Sequence, residues 1–117
     1  MKTLSMIAAL IVLLAASPAA AAEFLTAIED LPLMPGLSED VDTAMTFNSQ
    51  TGRIVETFAA GPVERAAVLK FYADTLPQLG WMQIGNGVFV REGEVLTLEF
   101  PDAEGHLSVR FSLSPGS

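Results

Sequence analysis

His106 is the single histidine of the chain, and it stands in the loop "PDAEGH" with Asp102 and Glu104 close by. A histidine beside carboxylates can act as a general base or hold a metal ion weakly. No serine or cysteine nucleophile motif accompanies it, so a solvated residue flanking a strand is the favoured reading. Ser108 and Ser112 fall on the polar side of an alternating segment rather than on a strand-to-helix elbow. The chain has no G-x-S-x-G, phosphate-binding loop, dinucleotide fingerprint or H-E-x-x-H. The acidic run "SEDVD", Ser38 to Asp42, gathers Glu39, Asp40 and Asp42, which invites a calcium reading. A calcium-binding loop starting at Asp40 fails, because Ala44 occupies the fifth position and Met45 the sixth, where glycine is required. The residues therefore point to no catalytic group, no cofactor and no metal site, and to a protein that is not an enzyme.

Aromatic chemistry concentrates in "KFYADTLPQLGW", Lys70 to Trp81. Phe71, Tyr72 and Trp81 have the flat faces needed to stack on a sugar, a heterocycle or a peptide. Their spacing favours a scaffold instead. Val68, Phe71, Tyr72, Thr75, Leu76 and Leu79 fall on one arc at helical period, while Lys70 and Asp74 form an i,i+4 pair on the opposite side. The spacing predicts a helix that opens at Gly61-Pro62, with Pro62 at the first helical position and Glu64 in the first turn. Pro77 should kink or break it, leaving "PQLG" as a last short turn. Gly80 can take the left-handed conformation that ends a helix, so Trp81 would fold back over Leu76. Such a helix needs a sheet to lie on.

The sheet is legible on both sides of the helix. "AMTF" (Ala44 to Phe47) and "RIVETFAA" (Arg53 to Ala60) flank "NSQTG" and suggest a hairpin. After the helix, a turn at Asn86-Gly87 would pair Ile84 with Phe89, and a turn at Glu92-Gly93 would pair Phe89 with Leu96 and set Arg91 beside Glu94. Leu96, Leu98 and Phe100 alternate with Val95, Thr97 and Glu99; Leu107, Val109, Phe111 and Leu113 alternate with Ser108, Arg110 and Ser112. Period two implies one wet face and one buried face. Pairing Phe100 with Leu107 aligns the apolar rows and sets Thr97 across from Arg110, with Glu99 diagonal to it.

Residues 1–22 read as a cleaved secretory signal peptide: Lys2, then an apolar run from Met6 to Ala16, then small residues through Ala22. The apolar run falls short of the roughly 20 residues a spanning helix needs, so no membrane insertion is expected after cleavage. Residues 23–42 form an extended arm interrupted by Pro32 and Pro35, whose Leu31, Leu33, Met34 and Leu37 pack most simply over a core edge. Residues 43–117 form a single small domain. With no cysteine, the exported protein has neither a disulfide nor a thiolate. Removing Lys2 with the leader leaves 5 basic residues against 14 acidic and a formal charge of −9. A surface this acidic repels nucleic acid and anionic lipid.

The segments "LPLMPGL", "GRIVE", "FYADTLPQLGW" and "FVREGEVLTLEF" together resemble a group of small exported alphaproteobacterial proteins of uncharacterised function. These share a helix end of the form FY…LPxLGW followed by an R-x-G-E-x-L-x-L strand pair. The resemblance implies a bacterial periplasmic setting and carries over no functional residue.

The expected architecture is α+β: a hairpin, one helix and a three-stranded antiparallel meander, with the helix packed on one face of the sheet as a two-layer sandwich. The expected function is that of a non-enzymatic accessory or interaction module of the bacterial envelope whose partner is another periplasmic protein. The alternative is a small-ligand carrier with a cavity between helix and sheet. Phe71, Tyr72, Trp81, Thr97, Glu99 and Arg110 are the candidate contact residues.

Overall fold

Alternating apolar residues after the helix demand a sheet with one covered face, and the computed structural model, which describes residues 23–101 and 105–116, supplies a six-stranded one. The signal-peptide reading of residues 1–22, and the carboxylates Asp102 and Glu104 beside His106, lie outside the described residues. In chain order the elements are β1 (Glu23–Phe24), β2 (Pro32–Leu33), β3 (Ser38–Ser49), β4 (Gly52–Gly61), α1 (Arg65–Thr75), a 3₁₀ turn (Leu76–Leu79), β5 (Met82–Gly85), β6 (Val88–Arg91), β7 (Glu94–Glu99) and β8 (Leu107–Pro115). β1 and β2 form a small antiparallel pair of their own. The large sheet runs β3-β4-β8-β7-β6-β5, antiparallel throughout. The chain is α+β.

Cross-strand partners share a face, so the register separates two rows. Val55, Thr57 and Ala59 pair with Leu113, Phe111 and Val109, and these pair onward with Leu96 and Leu98. All are buried. Phe89, opposite Leu96, continues the row into β6. This inner face is the floor of the core. α1 adds Val68 and Tyr72 and the 3₁₀ turn adds Leu76, all at i,i+4 spacing, and Tyr72 meets Phe111 edge-on at 5.6 Å between ring centres. The arm adds Leu25, Ile28, Leu31, Leu33 and Leu37, each less than a tenth exposed. Because the arm shares the cover, the buried stripe of the helix is narrower than its periodicity predicts. Phe71 and Thr75 are half-buried and Leu79 is exposed.

Several boundaries differ from expectation, each for a local reason. β3 begins at Ser38, inside the segment read as arm, because Ser38, Glu39 and Asp40 pair with Ala60, Ala59 and Phe58. A bulge over residues 41–44 then shifts the register before Met45 meets Glu56. The hairpin turn is tighter than "NSQTG" suggests, since Ser49 pairs with Gly52 and its hydroxyl donates to the Gly52 carbonyl at 2.8 Å.

α1 starts at Arg65 rather than Pro62. β4 runs on through Gly61, which pairs with Leu107, so Pro62 to Glu64 must first turn the chain off the sheet. Glu64 is the extended residue flanking the helix, at φ −98° and ψ 148°. Gly61 lies against the backbone of Gly36 so closely that a Cβ there would come within 1.9 Å of the Gly36 oxygen. The arm therefore crosses β4 where no side chain fits.

The helix end follows its sequence signals. The α-helix stops before Pro77, the last turn is 3₁₀, and Gly80 takes φ 95°. The Trp81 amide donates back to the Leu76 carbonyl at 3.1 Å, and Trp81 is buried.

Two strand registers are corrected. Gln83, not Ile84, lies opposite Phe89, because an irregularity between Gln83 and Gly85 puts Ile84 out of the ladder. β7 and β8 pair two residues further on than expected, setting Glu99 directly opposite Arg110 and Thr97 opposite Ser112. A shift of two keeps every side chain on its own face, so the apolar rows could not distinguish the two registers. Phe100 leaves the ladder, and its ring receives the Arg65 guanidinium at 5.0 Å from the centroid. Phe89–Leu96 and Arg91–Glu94 pair as expected.

Candidate interaction surface

The side of the sheet opposite the core carries residues of two kinds. Its polar centre is built on Arg110. The Arg110 Nε and Nη2 atoms reach Glu99 Oε1 at 2.9 and 2.7 Å, Glu56 Oε2 lies 3.8 Å from Nε, and the Phe58 ring centre lies 6.0 Å from the guanidinium carbon. Strand pairing fixes this group: Glu99 opposes Arg110 from one side and Phe58 from the other. Thr97 stands on the same row, two residues from Glu99. The structure thus brings Thr97, Glu99 and Arg110 together on one open face.

Around that centre the face is apolar. Register places Met45, Phe47, Ile54, Val88, Val90, Val95 and Met82 on it. It is not the uniformly wet surface that the alternation of β7 and β8 implies. Met45 and Phe47 are both 53% exposed and Met82 is 63% exposed. Met45 and Phe47 belong to β3, whose other long side has no neighbouring strand among the described residues. Sequence reasoning recognised "AMTF" as a strand but missed this exposure. The alternation of Met45 and Phe47 with Thr46 and Asn48 is the signal, and alternation alone does not say which row faces the core.

The three aromatic candidates lie on the other side and apart from this patch. Tyr72 is fully buried; its hydroxyl donates to the Pro32 carbonyl at 2.8 Å and accepts from the Met34 amide at 3.2 Å. Burial pushes its phenol well above the ordinary range, despite the opposing pull of the Met34 amide. Phe71 packs edge-on against it at 4.8 Å. Trp81 lies under Arg91, whose guanidinium carbon is 4.4 Å from the indole centre, and its buried Nε1 has no hydrogen-bond partner among the described residues. Tyr72 fixes the arm to the helix, and Trp81 closes the core at the end of the helix.

A polar rim that the sequence did not disclose finishes the inner face. Arg53 from β4 holds Glu94 from β7 through two hydrogen bonds, at 2.9 and 3.3 Å. Arg91 joins Asp30 of the arm and also donates to the Leu79 carbonyl at 3.2 Å. Burial raises the Asp30 carboxyl, but the hydrogen bond and charge of Arg91 pull it further the other way, leaving it below its ordinary value. Glu39 accepts from the Thr26 and Ala27 amides at 2.6 and 3.2 Å and from the Thr57 hydroxyl at 2.9 Å. Its carboxylate ties down the arm, which accounts for one acid of the "SEDVD" run.

Beside the rim lies an open concavity of about 390 Å³, lined by Ala27, Glu29, Asp30 and Arg53; a second, of about 290 Å³, is lined by Glu23, Leu33, Pro35 and Gly36. Both sit at the arm, and neither is lined by Phe71, Tyr72 or Trp81. Among the described residues no three metal-binding side chains converge, and no helix is long and apolar enough to cross a membrane. His106 is exposed in the loop before β8. Comparison of the chain with protein-family models, curated proteins and solved structures finds no match.

Proposed function

We propose that this chain is an exported, non-enzymatic interaction module of the bacterial envelope, with residues 1–22 removed as a leader and the remainder working in the periplasm. The helix and the arm form one layer over the inner face of the sheet, and the bare outer face and its β3 edge receive another periplasmic protein. One observation carries this reading. β3 is a strand of 12 residues at the border of the sheet, and its Met45 and Phe47 stand half in water. Unpaired strands normally carry protection such as shortness, lysine or proline, since their free amides and carbonyls recruit other strands. β5, at the opposite border, has only 4 residues and an irregular register. β3 has no lysine and no proline; its bulge and the exposed Asp40 and Asp42 guard only its first two thirds, and Met45 to Ser49 carries no such protection.

Site-specific photo-crosslinking tests the proposal. A benzophenone side chain at position 47, introduced in living cells, should capture a defined periplasmic protein in stoichiometric yield. The same group at exposed Lys70, on the far side of the molecule, should not. Equal, diffuse labelling from both positions, or none from position 47, would remove the interaction reading.

A further inference from the structure

Charge around β3 specifies the partner more closely than exposure does. The first half of the strand is acidic, with Asp40 and Asp42 exposed, and Glu56 stands on the outer face of β4 opposite Met45. The second half is neutral and apolar, with Met45 and Phe47 two residues apart and facing the same way. Among the described residues no basic side chain pairs with Asp40 or Asp42, while Glu56 already has Arg110 at 3.8 Å. Arg53, across from Asn48, is turned to Glu94; Lys70 is taken by Asp74, Arg91 by Asp30 and Arg110 by Glu99. Arg65 lies over Phe100.

We infer that β3 adds an extended segment of a basic partner as a seventh strand, two alternate apolar side chains covering Met45 and Phe47 and Lys or Arg side chains further along meeting Asp40 and Asp42. The inference rests on the interaction reading above and assigns the partner's chemistry. Backbone pairing supplies affinity in such a complex, and alternate side chains supply specificity. A second copy of this chain fits poorly. Full-length antiparallel pairing of two β3 strands sets Met45 and Phe47 of one against Asp40 and Asp42 of the other. Each mature copy also carries −9. Opposite charge along the strand favours encounter with a basic segment and fixes its register.

The probe is a short fluorescent peptide in which two alternate valines precede three alternate lysines, with threonines between. One control replaces the lysines by glutamates; another keeps the lysines and replaces the threonines by prolines, which preserves charge but prevents strand pairing. The lysine peptide should bind at least about tenfold more tightly than either control and should slow amide exchange over Met45 to Ser49 by a similar factor. Binding should weaken at high salt. Asp40→Lys combined with Asp42→Lys should reverse the preference toward the glutamate peptide; both positions are exposed, so the fold is retained. Equal binding of the proline peptide, protection confined to β5, or self-association of the protein without peptide would each overturn the inference. If position 47 still crosslinks a periplasmic protein while the lysine peptide shows no preference, the partner's chemistry is wrong and the interaction reading stands. If both fail, both fall.

Discussion

Gly61 shows how far a single missing side chain can govern this molecule. The position is read from sequence as half of a helix-opening Gly-Pro pair, yet it is the last residue of β4, pressed against the carbonyl of Gly36. Backbone cannot yield as the end of a flexible side chain can, so an added methyl must push the arm away from the sheet. Gly61→Ala is expected to lower stability by about 3 kcal/mol, measured by urea unfolding, and to speed amide exchange at Leu25 and Leu31. An unchanged midpoint would mean that the arm does not cross there. Trp81 is the contrasting case at this scale. Its covering role after Gly80 follows from local helix-ending chemistry, and the structure agrees. Its partner Arg91, ten residues further along the chain, was legible only as a turn-flanking residue opposite Glu94.

Among the elements, the arm departs furthest from simple pattern reading. Two prolines and scattered leucines mark it as extended and apolar, and its leucines are buried as the packing expectation has it. Polar contacts add to that packing: Tyr72 on Pro32 and Met34, Glu39 on Thr26 and Ala27, Arg91 on Asp30. These partners lie on α1, β3 and β6, and no local period links them to the arm. The Asp30 contact gives the attachment a pH dependence. Since the folded carboxyl lies below its ordinary value near 3.8, its contribution is complete above that value and is lost as pH falls through the lower folded one. Asp30 is half-exposed, so the effect is modest. Asp30→Asn should loosen the arm at neutral pH, seen as faster exchange at Leu25, and this difference from the unaltered protein should vanish in strong acid. A difference that persists there would assign the grip to packing alone.

At the level of the whole molecule, one side of the sheet is buried in the core and the other carries half-exposed apolar side chains. Phe47→Lys and Met45→Lys should change unfolding free energy by no more than about 0.5 kcal/mol, because both side chains already stand half in water. Leu113→Ala, on the buried row, should cost about 2–5 kcal/mol. Calorimetry on the three variants checks the contrast; a large loss for Phe47→Lys would mean that the outer patch is structural. The α+β class, the one helix and its ending, the tight turns at Asn86-Gly87 and Glu92-Gly93, and the inward row of Leu96, Leu98, Val109, Phe111 and Leu113 all follow from local propensity and periodicity, which act over a few residues and are written in the chain. Strand order, the two-residue offset of β7 against β8, the clasp on the arm and the bareness of β3 depend on contacts between residues 11 to 61 positions apart. Alternation is unchanged by a slip of two, and no period encodes which edge of a sheet is left without a neighbour. Only the assembled core settles those points.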